Sequence, residues 1–479
     1  MSLSTETASV QIGLFGIGLD TYWPQFTGLQ ERLIGYQARI RTGLENEGVS
    51  IVDAGLVDNL SRSADAAELF GASGVDIVFL YISTYALSST VLSVVQQIHA
   101  PFIILNLQPV RQLDYTAFNN LQSREAMTGE WLAHCQACCV PELASVFNRA
   151  NIAYHLITGT LDDSDAWAEI NDWVDAVKVA RILRHTRIGL LGHYYNGMLD
   201  VYSDYTQLAS AFGNQFDLLE VDELQSLRAS VMEQDVSAML TRFQEGFNVS
   251  AECSEMELRR AASTSVALHQ LVDKHRLGGL AYYFEGQPGT ANEDIATAVI
   301  AGNTLLTAHH VPVAGEYEVK NALAMKIMDT LGVGGSFSEF YLMDFVDDVV
   351  LLGHDGPGHA AIAEGRVQLL PLKVFHGKPG SGLSIQMTVK HGPVTILSVC
   401  QHRDGKIKLL VSEGESVAGP TLTIGNTNSR YKFSITAKAY INAWAKAGPS
   451  HHCAIGVGHV AGKLEKLAAI LNIGFEQIC

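Results

Sequence analysis

The chain has 479 residues, 47% of them apolar, which at roughly 150 residues per domain is enough for about three folded cores. Fifty acidic against 32 basic side chains leave a formal net charge of −18 with no Lys/Arg-rich run, which argues against nucleic acid as a partner. No stretch reaches the ~20 uninterrupted apolar residues that span a bilayer, and Met1 to Val10 offers neither a basic n-region nor an apolar h-region, so the expectation is a cytoplasmic protein with no membrane partner.

Short apolar runs at 11–16, 49–54, 76–82 and 101–107 predict strands, and the segments between them, such as 30–47 and 64–72, repeat apolar residues at helical spacing. The same alternation continues with strand-like runs at 187–192, 216–221, 279–284, 311–315 and 349–353, and helical stretches at 162–183, 252–275, 292–309 and 318–331. That grammar predicts parallel sheets covered on both faces. After about Ala363 it changes: 383–389, 394–400 and 407–411 alternate, joined by Lys390-His391-Gly392-Pro393 and His402-Arg403-Asp404-Gly405, which are hairpin signals. Two helices, 437–446 and 458–471, follow around a Gly448-Pro449-Ser450 loop. The expected fold is α/β: two doubly wound parallel-sheet domains, 1–178 and 179–362, followed by a C-terminal antiparallel β-barrel-like module with terminal helices, 363–479.

In an open parallel sheet, ligands bind beyond the carboxyl ends of the strands. Three polar groups meet that test: Glu316 after Val311-Pro312-Val313-Ala314-Gly315, His354 after Val349-Val350-Leu351-Leu352-Gly353, and Glu339 after the glycine-rich 332–338. His451-His452, in a polar loop, supply a fourth if the chain end packs back on the same rim. Oxygen and nitrogen donors together suit Mn²⁺ or another divalent metal with positions left for substrate. Each residue has a plainer alternative: Glu316 as a helix-dipole partner, His354 as a loop or capping residue, the histidine pair as solvated side chains.

Four ordered segments carry a resemblance. Ala314-Gly315-Glu316-Tyr317-Glu318-Val319-Lys320-Asn321-Ala322-Leu323, Gly335-Ser336-Phe337-Ser338-Glu339, Leu352-Gly353-His354 and Gly448-Pro449-Ser450-His451-His452 resemble the L-arabinose isomerase family. The resemblance implies that Glu316, Glu339, His354 and His452 bind a divalent metal, usually manganese, and that Glu316 and Glu339 are the catalytic pair in an aldose–ketose interconversion. It also implies two wound domains, a barrel-like C-terminal region, and a homo-oligomer whose active sites are shared between chains.

The N-terminal part departs from the family pattern. A Gly-Ser-Gln-x-Leu-Tyr-Gly turn corresponds loosely to 16–22, where Tyr22 matches and the Gln does not, and a Gln-x-x-His segment reads Gln136-Ala137-Cys138-Cys139. These are substrate-contacting parts of the family site, so the expected substrate is an open-chain sugar other than L-arabinose. Tyr22, Tyr85, Gln136, Cys139, Met198, Glu285 and His451 are the candidate substrate contacts. A related metal-assisted epimerase or lyase, or a catalytically silent sugar-binding protein, stands as the alternative. Seven cysteines, four of them isolated, are expected to be reduced thiols; Cys135, Cys138 and Cys139 lack a second pair to complete a zinc site and read as pocket residues.

Overall fold

The computed structural model describes residues 9–45, 48–374 and 380–479. Residues 1–8, where the absence of a leader pattern was noted, and residues 46–47 of the expected helix 30–47 lie outside them. The chain divides into two compact units, Ser4–Arg181 and, from Ile182, the remainder to Cys479.

In the first unit, β1 (Val10–Ile17), β2 (Val49–Val57), β3 (Ile77–Tyr81), β4 (Phe102–Gln108) and β5 (His155–Thr160) form a parallel sheet of order β2-β1-β3-β4-β5. β3 reads Ile-Val-Phe-Leu-Tyr and every residue of it is buried, as a strand covered on both faces requires. Helices Leu29–Leu44, Leu60–Ser73, Ser88–Val95 and Gln136–Arg149 are among those covering it. Helix Leu60–Ser73 starts where the Asn59 side chain accepts from Arg62 N–H and stops at Gly74 in the left-handed region. The core joins Phe15, Phe70, Phe102 and Phe147.

The second unit holds two sheets and a barrel. β6 (Arg187–Gly192), β7 (Gln215–Leu219), β9 (Gly279–Tyr283) and β10 (Val313–Ala314) form a parallel sheet of order β10-β9-β6-β7, with β8 (Asn248–Val249) pairing elsewhere. Helix Glu255–His275, opened by a capping box between Ser254 and Glu257, packs Leu268 and Leu271 against Leu191 and Leu280. β11 (Gly334–Asp344) and β12 (Val349–His354) begin the barrel; β13 (Gln368–Lys373) and β14 (Ser381–Gln386) join β8 in a small sheet. The barrel closes through β15 (Gly392–Gln401), β16 (Ile407–Val417), β17 (Thr427–Phe433) and β18 (His452–Val457) in the order β15-β18-β11-β12-β17-β16-β15, all antiparallel. β19 (Gly474–Gln477) adds to β16 in parallel. Among the described residues, no helix is long and apolar enough to cross a membrane.

The two parallel sheets and the antiparallel barrel agree with the expected fold. Several local expectations do not survive. The run 349–353 is a barrel strand, not a strand of the parallel sheet; all six residues of β12 are buried, and a continuous apolar run carries no period that separates the two settings. Segments 383–389 and 394–400 form no hairpin: β14 pairs with β13, Lys390 N–H donates to Ile362 O (2.9 Å), and Met387 O accepts from Asn428 N–H (3.1 Å). The second expected hairpin, β15 with β16, is present. His452 opens a strand between the two terminal helices instead of lying in their loop. Cys135 and Cys138 are disulfide-bonded with Cα atoms 5.6 Å apart, against the expectation of reduced thiols: one helical turn brings the two side chains within bridging reach. Cys139, Cys253, Cys400, Cys453 and Cys479 are free.

Candidate metal centre and its cavity

Glu316 owes its position to an unusual turn. After β10 the backbone enters the left-handed region at two successive non-glycine residues, Glu316 (φ 55°) and Tyr317 (φ 59°). Each such residue costs about 1–2 kcal/mol, so the surroundings must over-determine the turn. Tyr317 N–H donates to Tyr282 O (3.0 Å), Glu318 N–H to Gly315 O (3.0 Å), and the Tyr317 ring stands edge-on to Tyr194 at 4.9 Å. Helix Val319–Thr330 then runs inward with Val319 to Asp329 buried throughout. Its charges are paired: Lys320 Nζ donates to Asp200 O (2.5 Å), and Lys326 Nζ to His310 O (2.8 Å) and Asp329 (3.3 Å).

The barrel supplies the other groups. Glu339 on β11 lies opposite His452 on β18 and Gly353 on β12, and His354 closes β12 with its N–H donating to Thr427 Oγ1 (3.0 Å). The Phe337 ring lies 4.5 Å from the His354 ring and 4.3 Å from that of His452. Glu316 meets three imidazoles: its Oε2 is 3.5 Å from Nε2 of both His451 and His452, and its Oε1 is 3.8 Å from His354 Nε2. Among the described residues, Glu316, His451 and His452 offer donor atoms all within 4.8 Å of one another.

Burial alone would raise the Glu316 pKa, but His451 across 3.5 Å and the neighbouring His452 and His354 bring it down to about 2. His452, wholly buried and next to His451, is pushed down to about 3 and so stays neutral. His451 is opposed by burial, yet Glu316 and Asp200 raise it to about 9. Glu318, buried behind His452 with its Oε2 3.7 Å from Nδ1, is raised to about 7 by desolvation.

Glu316, Glu339, His354 and His451 line a cavity of about 840 Å³ with Met198, Tyr195, Tyr283 and Glu285, while His452 lies behind its wall. The Tyr283 hydroxyl donates to the Glu285 carboxylate. Tyr22, Tyr85, Gln136 and Cys139 belong to the first unit. Tyr22 and Tyr85 follow β1 and β3, adjacent strands at which the strand order reverses, the place where open parallel sheets commonly bind ligands. There the Tyr85 hydroxyl donates to Glu142 (3.0 Å), while Gln136 and Cys139 are buried and bond to backbone carbonyls of Ser83, Ala133 and Ala86. Asp200 and Glu318, both against the histidine pair, escaped the sequence reading; neither has a spacing that advertises it.

The residues present suit a divalent cation. Glu316 Oε2 and both ring nitrogens of His452 are buried without a hydrogen-bond partner, a state that typically costs about 1–3 kcal/mol per group. A neutral imidazole and an ionised carboxylate are the protonation states that a metal requires.

Residues 362–478 match the family model described as "L-fucose isomerase, C-terminal domain". The L-arabinose isomerase of Shewanella sp. (strain MR-4) is 23% identical over 407 residues, spanning 79% of this chain and 75% of that protein. That of Nocardioides sp. (strain ATCC BAA-499 / JS614) is 22% identical over 345 residues, 68% of this chain and 66% of that protein. With the wound sheets, the six-stranded barrel and the Glu/His cluster already in place, these similarities make the chain a distant homologue of the L-arabinose isomerases, with a C-terminal domain of the fucose/arabinose isomerase type.

Proposed function

We propose that the chain is a divalent-metal-dependent aldose–ketose isomerase acting on an open-chain sugar other than L-arabinose. The observation that carries this reading is the meeting of Glu316 Oε2 with Nε2 of both His451 and His452, 3.5 Å from each, at a cavity also lined by Glu339 and His354. Glu316, Glu339, His354 and His452 would hold the ion, Mn²⁺ being the expected one, and His451 sits close enough to join them. When bound, such a cation supplies Lewis-acid polarisation of the sugar carbonyl and its neighbouring hydroxyl.

The chain's own residues do the rest. Glu316 and Glu339 divide the proton traffic, one taking the C2 proton and the other serving the oxygens, so that the reaction passes through an enediol. Neutral His452 keeps its lone pair free of a proton. Met198, Glu285 and His451 meet the sugar along the cavity wall, Glu285 being held by the Tyr283 hydroxyl. In the first unit, the segment reading Gln136-x-x-Cys139 places a buried thiol, pushed up to about 11 by desolvation, where the family pattern has an imidazole. That change supports a substrate with a hydroxyl pattern different from L-arabinose.

We read the protein as a homo-oligomer in which Tyr22, Tyr85, Gln136 and Cys139 of one chain complete the site of a neighbour; a fully active monomer in solution would overturn this. The test of the activity is a panel of aldoses and ketoses incubated with Mn²⁺ and scored for interconversion. No turnover of any aldose or ketose would remove the isomerase reading.

A further inference from the structure

Neighbouring residues of a strand point to opposite faces. His452 opens β18 with its ring toward Glu316, and Cys453 after it is buried. A plain continuation of the strand backward would turn His451 away from Glu316. Instead both rings face it, with centroids 3.8 Å apart. The cause is visible in the loop of the second unit that carries Met198. Asp200 Oδ2 accepts from His451 N–H (2.9 Å) and lies 2.6 Å from His451 Nδ1. The Asp200 carbonyl is itself anchored, accepting from Lys320 Nζ (2.5 Å) and Ser450 Oγ (3.1 Å). One carboxylate therefore grips both the backbone and the ring of His451.

Resting on the metal site proposed above, we infer that Asp200 is the positioning residue that makes His451 a further imidazole ligand of the cation, beside His354 and His452, by holding Nδ1 so that only Nε2 is presented to Glu316. A hydrogen bond from the rear nitrogen to a carboxylate fixes which ring nitrogen carries the proton and which way the ring faces. Asp200 touches neither cation nor sugar in this role; it acts through His451.

The test is Mn²⁺ binding by the full chain, read from the free-ion electron paramagnetic resonance signal, which requires no turnover. Asp200→Asn keeps the shape and the main-chain carbonyl and should weaken Mn²⁺ by roughly 10- to 100-fold, while the metal-free protein still unfolds in a single cooperative transition. Asp200→Ser, too short to hold the ring, serves as the second variant should the first fold poorly. In a His451→Ala background, Asp200→Asn should cost no more than about a further twofold, because its effect passes through a ring no longer there. Affinity unchanged in Asp200→Asn, or losses that multiply in the double variant, would overturn the inference and leave the isomerase reading standing. Absence of Mn²⁺ binding by the unaltered chain would overturn both.

Discussion

Glu339 and His452 face each other across the antiparallel pair of β11 and β18, so that strand register brings a carboxylate and an imidazole from distant parts of the chain to the same point. A one-residue slip of β11 against β18 would turn every side chain on the strand to the other face. The placement of Glu339 is thus as secure as the barrel itself, whereas Glu316 depends on a strained turn.

Glu339→Gln should lower kcat by roughly 10²- to 10⁴-fold, the range for one acid or base group, while weakening Mn²⁺ by less. Turnover in deuterated water should carry solvent deuterium into the carbon that receives the proton. Products free of deuterium over many turnovers would indicate a direct hydride shift and reduce the two glutamates to ligands.

Phe337 is fully buried and lies against both His354 and His452. Phe337→Ala should destabilise the protein by about 3–5 kcal/mol and weaken Mn²⁺ as the rings lose their backing. Urea denaturation and metal titration on the same sample check the two effects together.

Asp329 sets a pH dependence away from the metal centre. Burial would raise its pKa, but His359, Lys326 and His310 around it win, and the folded value is lowered. A depressed folded pKa means that its stabilisation is fully present above the unfolded carboxylate value of about 3.9 and is lost as pH falls through the folded value. Asp329→Asn should flatten that part of the acid limb and, by leaving the buried Lys326 without an opposite charge, destabilise the chain at neutral pH by about 3–5 kcal/mol. Equilibrium unfolding as a function of pH measures both.

Mn²⁺ at a hundred times its dissociation constant should raise the unfolding free energy by about 2.7 kcal/mol, since only the folded chain assembles the donors. Chelation should reverse this. A melting temperature indifferent to Mn²⁺ and chelator would speak against the site.

L-Arabinose should give a lower kcat/KM than at least one other sugar, because loss of a buried hydrogen-bonding partner for a hydroxyl typically costs about 1–3 kcal/mol. Comparable or better efficiency on L-arabinose than on every other sugar tested would defeat the substrate assignment.

Much of this protein is written locally. The parallel sheets follow from apolar runs such as that of β3, and helix starts from signals such as Asn59 and the Ser254–Glu257 capping box, because propensity and capping act within one or two turns. Glu316, Glu339, His354 and His452 stand in short segments that can be picked out by type and order. Other features depend on distance in sequence. Nothing within a few residues of Val349–His354 states that it pairs antiparallel with β11 and β17, nor that β14 chooses β13 over β15. Asp200 reaches His451 across 251 positions and Glu318 faces His452 from the start of a buried helix. Such pairs form when loops are closed by the packing of sheet, helix and barrel, and a hydrogen bond made at that stage leaves no period, spacing or composition in the chain from which it could be read.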